Sequence, residues 1–155
     1  MHDGEAVGML CHSTKLDSIN LKEADAIFMT GGHGTCADFV NNAELKNAIE
    51  SMYKSGKVVA AVCHGPMCLI ECVKEDGSPL IKGMTVTGFS DVEEEAVQMT
   101  SKVPFLLESK MKELGANYEK TDSWNPKVCV DGKLVTGQNP ASSEVCAKAT
   151  VELLV

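Results

Sequence analysis

A chain of 155 residues with 14 basic and 22 acidic side chains carries a formal charge of −8, which excludes bulk electrostatic binding to nucleic acid or to an anionic membrane. Its apolar runs fall well short of the roughly 20 residues a membrane-spanning helix needs, and the opening Met1-His2-Asp3-Gly4-Glu5 has neither the basic start nor the apolar core of a signal peptide. With 44% hydrophobic residues, residues 1–155 read as one soluble, cytoplasmic domain; the seven cysteines show no disulfide-framework spacing and fit a reducing compartment.

Residues 1–20 are too short and too polar to supply a central buried strand. Residues 25–30 predict the first buried strand, which runs into Gly31-Gly32-His33-Gly34, a turn of little bulk that exposes backbone amides. An amphipathic helix follows, with Leu45, Ile49, Met52 and Tyr53 on one face, Asn42 as its cap and Gly56 as its stop. Lys57-Val58-Val59-Ala60-Ala61-Val62 suits a strand buried on both faces, and Cys63-His64-Gly65-Pro66 is a tight turn with proline at the first helical position. A helix is expected over 66–73, broken by Gly77-Ser78-Pro79. A strand over 84–89 then delivers Ser90-Asp91-Val92-Glu93-Glu94-Glu95 to the same end of the sheet. That acidic run reads either as a solvated first helical turn complementing the dipole or as part of a site. Pro104 opens a helix with Leu107, Met111 and Leu114 on one face and Gly115 after it. Residues 127–136 predict a hairpin around Asp131-Gly132, and Asn139-Pro140 caps a last helix that runs to about Leu154. Strand, helix and parallel strand in alternation predict an α/β fold whose site lies at the carboxyl ends of the strands.

Cys63 is the nucleophile candidate, because the elbow presents its thiol where a helix N-terminus, carrying roughly half a positive charge, favours a thiolate and an oxyanion. Cys11, Cys36, Cys68, Cys72, Cys129 and Cys146 have no such turn beside them and read as small hydrophobes. A dinucleotide loop is excluded at Gly32-His33-Gly34 because position 37 is Ala37 rather than glycine. No Cys-x-x-Cys or His-Glu-x-x-His spacing supports zinc, and Trp124 reads as packing.

The Gly-Gly-His-Gly turn, the Ala60 to Pro66 elbow, Val86-Thr87-Gly88-Phe89-Ser90 with its three glutamates, and Thr136-Gly137-Gln138-Asn139-Pro140-Ala141-Ser142 together resemble the ThiJ/PfpI family of the class I glutamine-amidotransferase-like superfamily. The resemblance runs from about Leu16 to the C-terminus and is nearest the branch of heat-shock chaperone-like proteins and glutathione-independent glyoxalases. It implies a flavodoxin-like three-layer sandwich with a mainly parallel sheet, here without the family's first strand-helix-strand segment, so that an amino-terminally shortened form is expected. By position it implies Cys63 as nucleophile, His64 as proton-transferring imidazole and Glu94 as the orienting acid, with Glu93 and Glu95 competing for that role. The backbone amides of Gly32 and His64, with His33 and Gly65 beside them, are the implied substrate and oxyanion contacts, glycine at 32 being read as permitting close approach. The implied reaction converts methylglyoxal-like 2-oxoaldehydes to hydroxy acids through a cysteine hemithioacetal, with no cofactor or metal, a small aldehyde as substrate and a homodimer as the assembly. The alternatives are a chaperone or redox-sensing protein of the same fold, or an inactive shortened form.

Overall fold

The computed structural model describes residues 3–155. The chain opens on α1 (Gly4–Cys11), capped by the Asp3 carboxylate, which accepts from the backbone of Glu5 and Ala6, and burying none of its residues. Strand β1 (Ala26–Met29) leads through the glycine turn into the short α2 (Thr35–Asp38) and then α3 (Ala43–Lys54). As expected, the Asn42 side chain caps α3 by accepting from Leu45 N, and Leu45, Ala48, Ile49 and Met52 form its buried face. In β2 (Val58–Val62) every residue is buried, the pattern of a strand covered on both faces. The remaining elements are β3 (Thr85–Val86), α4 (Asp91–Ala96), α5 (Leu107–Glu113), β4 (Asn117–Tyr118), the hairpin β5 (Val128–Asp131) and β6 (Leu134–Gly137), and α6 (Ser143–Glu152).

The main sheet has the order β1-β2-β6-β5. Strands β1, β2 and β6 run parallel, with Phe28 opposite Ala60 and Ala61 opposite Thr136, and β5 returns antiparallel to β6 across the Gly132-Lys133 turn. Helix α3 packs on β1 and β2, and α6 packs on β2 and β6. The carboxyl ends of β1, β2 and β6 therefore bring Gly31 to Gly34, Cys63 and Gln138 to Pro140 to one edge of the sheet.

Two segments differ from expectation. The helix expected over 66–73 is a 3-10 segment, Gly65–Leu69, since Val73 is drawn into a β-bridge with Pro79. The strand expected over 84–89 makes ladder contacts only at Thr85–Val86, with β4, in a separate two-stranded sheet. Side chains replace the missing ladder: Thr85 N donates to the Asp131 carboxylate at 2.8 Å and Thr87 N to the Thr136 hydroxyl at 2.9 Å. Phe89 N then donates to Cys63 O at 2.9 Å, so the acidic segment still arrives beside the elbow.

Two glycines let the turns meet. A Cβ on Gly31 would lie 2.6 Å from Val62 O and 2.7 Å from Cys63 Cβ, and one on Gly65 would run into Met29 O. Glu93, fully buried, ties the surrounding loops. It accepts from Ser90 N (3.0 Å) and Oγ (2.7 Å), Trp124 N (2.9 Å), Gln138 Nε2 (3.1 Å) and Asn139 Nδ2 (2.8 Å). Burial pushes its pKa up, but the donors from Trp124, Ser90 and Asn139 outweigh burial and hold the carboxyl below its usual range.

Two outcomes are expected in urea denaturation. Gly65→Ala lowers stability by about 1–3 kcal/mol through overpacking, while Gly34→Ala, whose Cβ meets nothing within 4 Å, does not; equal midpoints for the two would refute the close-approach account. Glu93→Gln is destabilised at neutral pH. Because the folded pKa of Glu93 is depressed, its contribution is present above the ordinary glutamate value and lost as pH falls through the lowered one. The gap between parent and Glu93→Gln should therefore narrow on acidification, and a constant gap would exclude the charged network as its origin.

Candidate active site

Cys63 sits in the left-handed region with φ 63°, a conformation that costs a non-glycine residue about 1–3 kcal/mol and persists only when its surroundings impose it. Both of its backbone groups are held: Cys63 N donates to Gly137 O, and Cys63 O accepts from Phe89 N, each at 2.9 Å. The expected elbow is therefore present, and it turns the sulfur toward the glycine turn. Cys63 Sγ lies 3.5 Å from His64 Nδ1, and His64 Nε2 lies 2.7 Å from Glu94 Oε2. The three residues are buried, with His64 1% and Glu94 2% exposed.

The competition among the three glutamates is resolved by the start of α4. Ser90 and Glu93 form a reciprocal capping box, which turns Glu93 toward the backbone; Glu95 is exposed, and Glu94 meets His64. The segment does open a helix, but Glu93 and Glu94 are buried in it, so of the three glutamates the solvated-turn reading holds only for Glu95. Ser90-Asp91-Val92-Glu93 is itself the S-x-x-E capping signature, a signal already in the sequence that assigns Glu93 to the cap.

His33 occupies a position that sequence reasoning placed only loosely. Its Nε2 lies 2.7 Å from Glu94 Oε1, the second oxygen of the carboxylate that holds His64. The two imidazole centroids are 4.2 Å apart, tilted by 44°. Thr35, absent from the predicted site, joins the turns: its hydroxyl proton is shared between Gly32 O at 2.8 Å and His64 O at 3.1 Å. Gly32 has φ 113°, a left-handed backbone that favours glycine, and no protein atom lies within 4 Å of an added Cβ. Gly65 serves the packing against Met29 described above.

A cavity of about 350 Å³ opens over the thiol, lined by Gly32, His33, Cys63, His64, Phe89 and Trp124 among others. Trp124, expected only to pack, lies half-exposed at this cavity with its ring 5.8 Å from that of Phe89. A larger hollow of about 750 Å³ lies elsewhere, lined by Asn47, Tyr53, Lys54 and Leu80 among others, and holds no paired nucleophile and base.

Burial is the leading influence on both reacting groups. It pushes the Cys63 thiol up to about 11, against the pull of the backbone N–H groups of His64 and Gly32. This runs against the expectation of a helix-stabilised thiolate, since a short 3-10 segment is a weak dipole and Cys63 is only 8% exposed. Burial also lowers His64, more than the Glu94 hydrogen bond raises it. Both shifts favour the neutral forms, a thiol and an unprotonated imidazole. His33, His64 and Glu94 also offer nitrogen and oxygen atoms within 4.8 Å of one another, a spacing that suits a metal ion, but both Nε2 atoms stand at hydrogen-bonding distance from the carboxylate, so protons bridge the cluster. Among the other cysteines, Cys72 and Cys146 are buried and donate S–H to Cys68 O and Ala61 O, as packing thiols do.

The DJ-1/PfpI family model matches residues 4–153. The chain is 36% identical over 142 residues to the Saccharomyces cerevisiae glutathione-independent glyoxalase HSP31, covering 88% of this chain and 60% of that protein. Among solved structures, rapid encystment protein 24 kDa of Francisella tularensis superposes with TM-score 0.93 at 40% identity, over 99% of this chain and 68% of that one. Glyoxalase III of Candida albicans superposes with TM-score 0.82 at 30% identity, over 89% and 60%. The chain spans about three fifths of the length of the curated relatives. With its parallel sheet, its cysteine elbow and a family match along nearly its whole length, the chain belongs to the DJ-1/PfpI family.

Proposed function

We propose that the site processes small 2-oxoaldehydes such as methylglyoxal without glutathione, as the names of its relatives indicate for them. The observation that carries the reading is the line Cys63 Sγ, His64 Nδ1, His64 Nε2, Glu94 Oε2 beside a cavity of about 350 Å³, ample for a small aldehyde. The sulfur adds to the aldehyde carbon while His64 Nδ1 takes the thiol proton, and Glu94 stabilises the imidazolium that forms. The backbone N–H groups of His64 and Gly32, which already approach the sulfur, are placed to receive the oxygen that becomes negative; one such donor is worth about 10²–10³ in rate. The hemithioacetal rearranges internally to a thioester, and water releases the hydroxy acid and restores the thiol. No electrons leave or enter.

A redox-sensing role for Cys63 is less well supported, because oxidation proceeds through the thiolate and burial keeps this thiol protonated.

Lactate should form from methylglyoxal without glutathione, and Cys63→Ala should reduce it to the uncatalysed background; parent-like turnover in that variant would sink the mechanism. The pH behaviour follows from the two shifts. His64 stays a free base until pH falls below its ordinary value of about 6.5, so the acid limb of kcat/KM lies on the low side of that value. Site-resolved alkylation of Cys63 without substrate should keep rising beyond the ordinary cysteine range toward about 11, and an earlier plateau would contradict a buried, protonated thiol.

A further inference from the structure

We propose that His33 is a second general base of this site, twinned with His64 across Glu94. The chemistry rests on the aldehyde-processing reading; the location rests on geometry alone. A carboxylate only accepts hydrogen bonds, and each Glu94 oxygen faces one Nε2 at 2.7 Å. Both Nε2 atoms therefore carry hydrogen, which leaves Nδ1 as the position of each ring's basic lone pair. In His64 that lone pair faces the thiol. In His33, Nδ1 receives no hydrogen bond from any described residue, and the ring lines the cavity with its side chain 36% exposed.

Two imidazoles can divide the proton transfers of the rearrangement, one carrying the thiol proton and the other the C–H proton. After the C–S bond forms, His64 holds the thiol proton and the former aldehyde oxygen is an alkoxide. His33 Nδ1 then takes the C–H proton from the former aldehyde carbon, and the electron pair forms a C=C bond as the ketone π electrons move to oxygen, which takes the proton from His64. His33 returns its proton to the former ketone carbon, and the alkoxide pair collapses to the thioester carbonyl. Every proton and electron pair is retained, and His64 is again neutral for hydrolysis. A lone imidazole must first hand the thiol proton to the alkoxide before it can take the C–H proton, whereas a second base facing the cavity removes that delay.

The test uses His33→Gln, whose side-chain amide keeps an N–H for Glu94 Oε1 and has no basic lone pair. Methylglyoxal should still protect Cys63 from alkylation, while lactate formation falls about 10²–10⁴-fold. Turnover within about threefold of the parent, or equal loss of addition and turnover, would reduce His33 to a positioning residue and overturn the proposal. Nitrogen NMR of labelled imidazoles in the parent near neutral pH gives an independent reading. Hydrogen on Nε2 of both His33 and His64 is expected, and hydrogen on Nδ1 of His33 would overturn the proposal whatever the activity. If the parent makes no lactate, the aldehyde reading fails and the tautomers still decide for or against a second base.

Discussion

The left-handed backbone at Cys63 is the constraint on which the site depends. Its strain of about 1–3 kcal/mol is of the same order as two backbone hydrogen bonds at about 0.5–1.5 kcal/mol each, and Cys63 has two, to Gly137 O and from Phe89 N. Those partners belong to β6 and to the segment after β3, so the direction of the sulfur is decided by sheet order and not by the elbow alone. Gly31 and Gly65 complete the arrangement by letting the β1 and β2 turns approach to distances a Cβ would forbid.

The same packing decides the chemistry of the thiol. Cys63 is buried, and the desolvation of a thiolate outweighs the backbone donors that approach it. Forming the thiolate is thereby made costly unless a neighbouring base, here His64 at 3.5 Å, takes the proton. A permanently ionised thiol would be open to oxidants and alkylating agents; burial works against that state.

What was legible in the sequence was local. Strands β1 and β2, helix α3 and the β5–β6 hairpin follow from hydrophobic runs, caps and turn residues acting within a few positions. Helix α1 escaped because it buries nothing and so leaves no amphipathic stripe. The shortened β3 escaped because its bonds are made by the Asp131 and Thr136 side chains, which no strand pattern records. Cys63 could be read from the elbow and His64 from the family resemblance, whereas Thr35 and the second oxygen of Glu94 could not, since their partners lie across turns that only the parallel sheet brings together. Trp124 was read as packing for the same reason: its place over the thiol is set by its backbone N–H to Glu93, 31 positions away.

The shared carboxylate explains why residue 94 is an acid. An amide there would accept one N–H through its oxygen and present N–H hydrogens to the other ring. A donor facing Nε2 forces that imidazole to place its own hydrogen on Nδ1, which removes its lone pair from the cavity side. Only a group with two acceptor oxygens holds both imidazoles in the same tautomer at once. The length and placement of Glu94 matter as much as its charge, because Oε1 must reach a half-exposed ring on the β1 turn while Oε2 reaches a buried one on the β2 turn. Starting α4 immediately after Ser90, with Glu93 turned back into the cap, is what sets Glu94 between them.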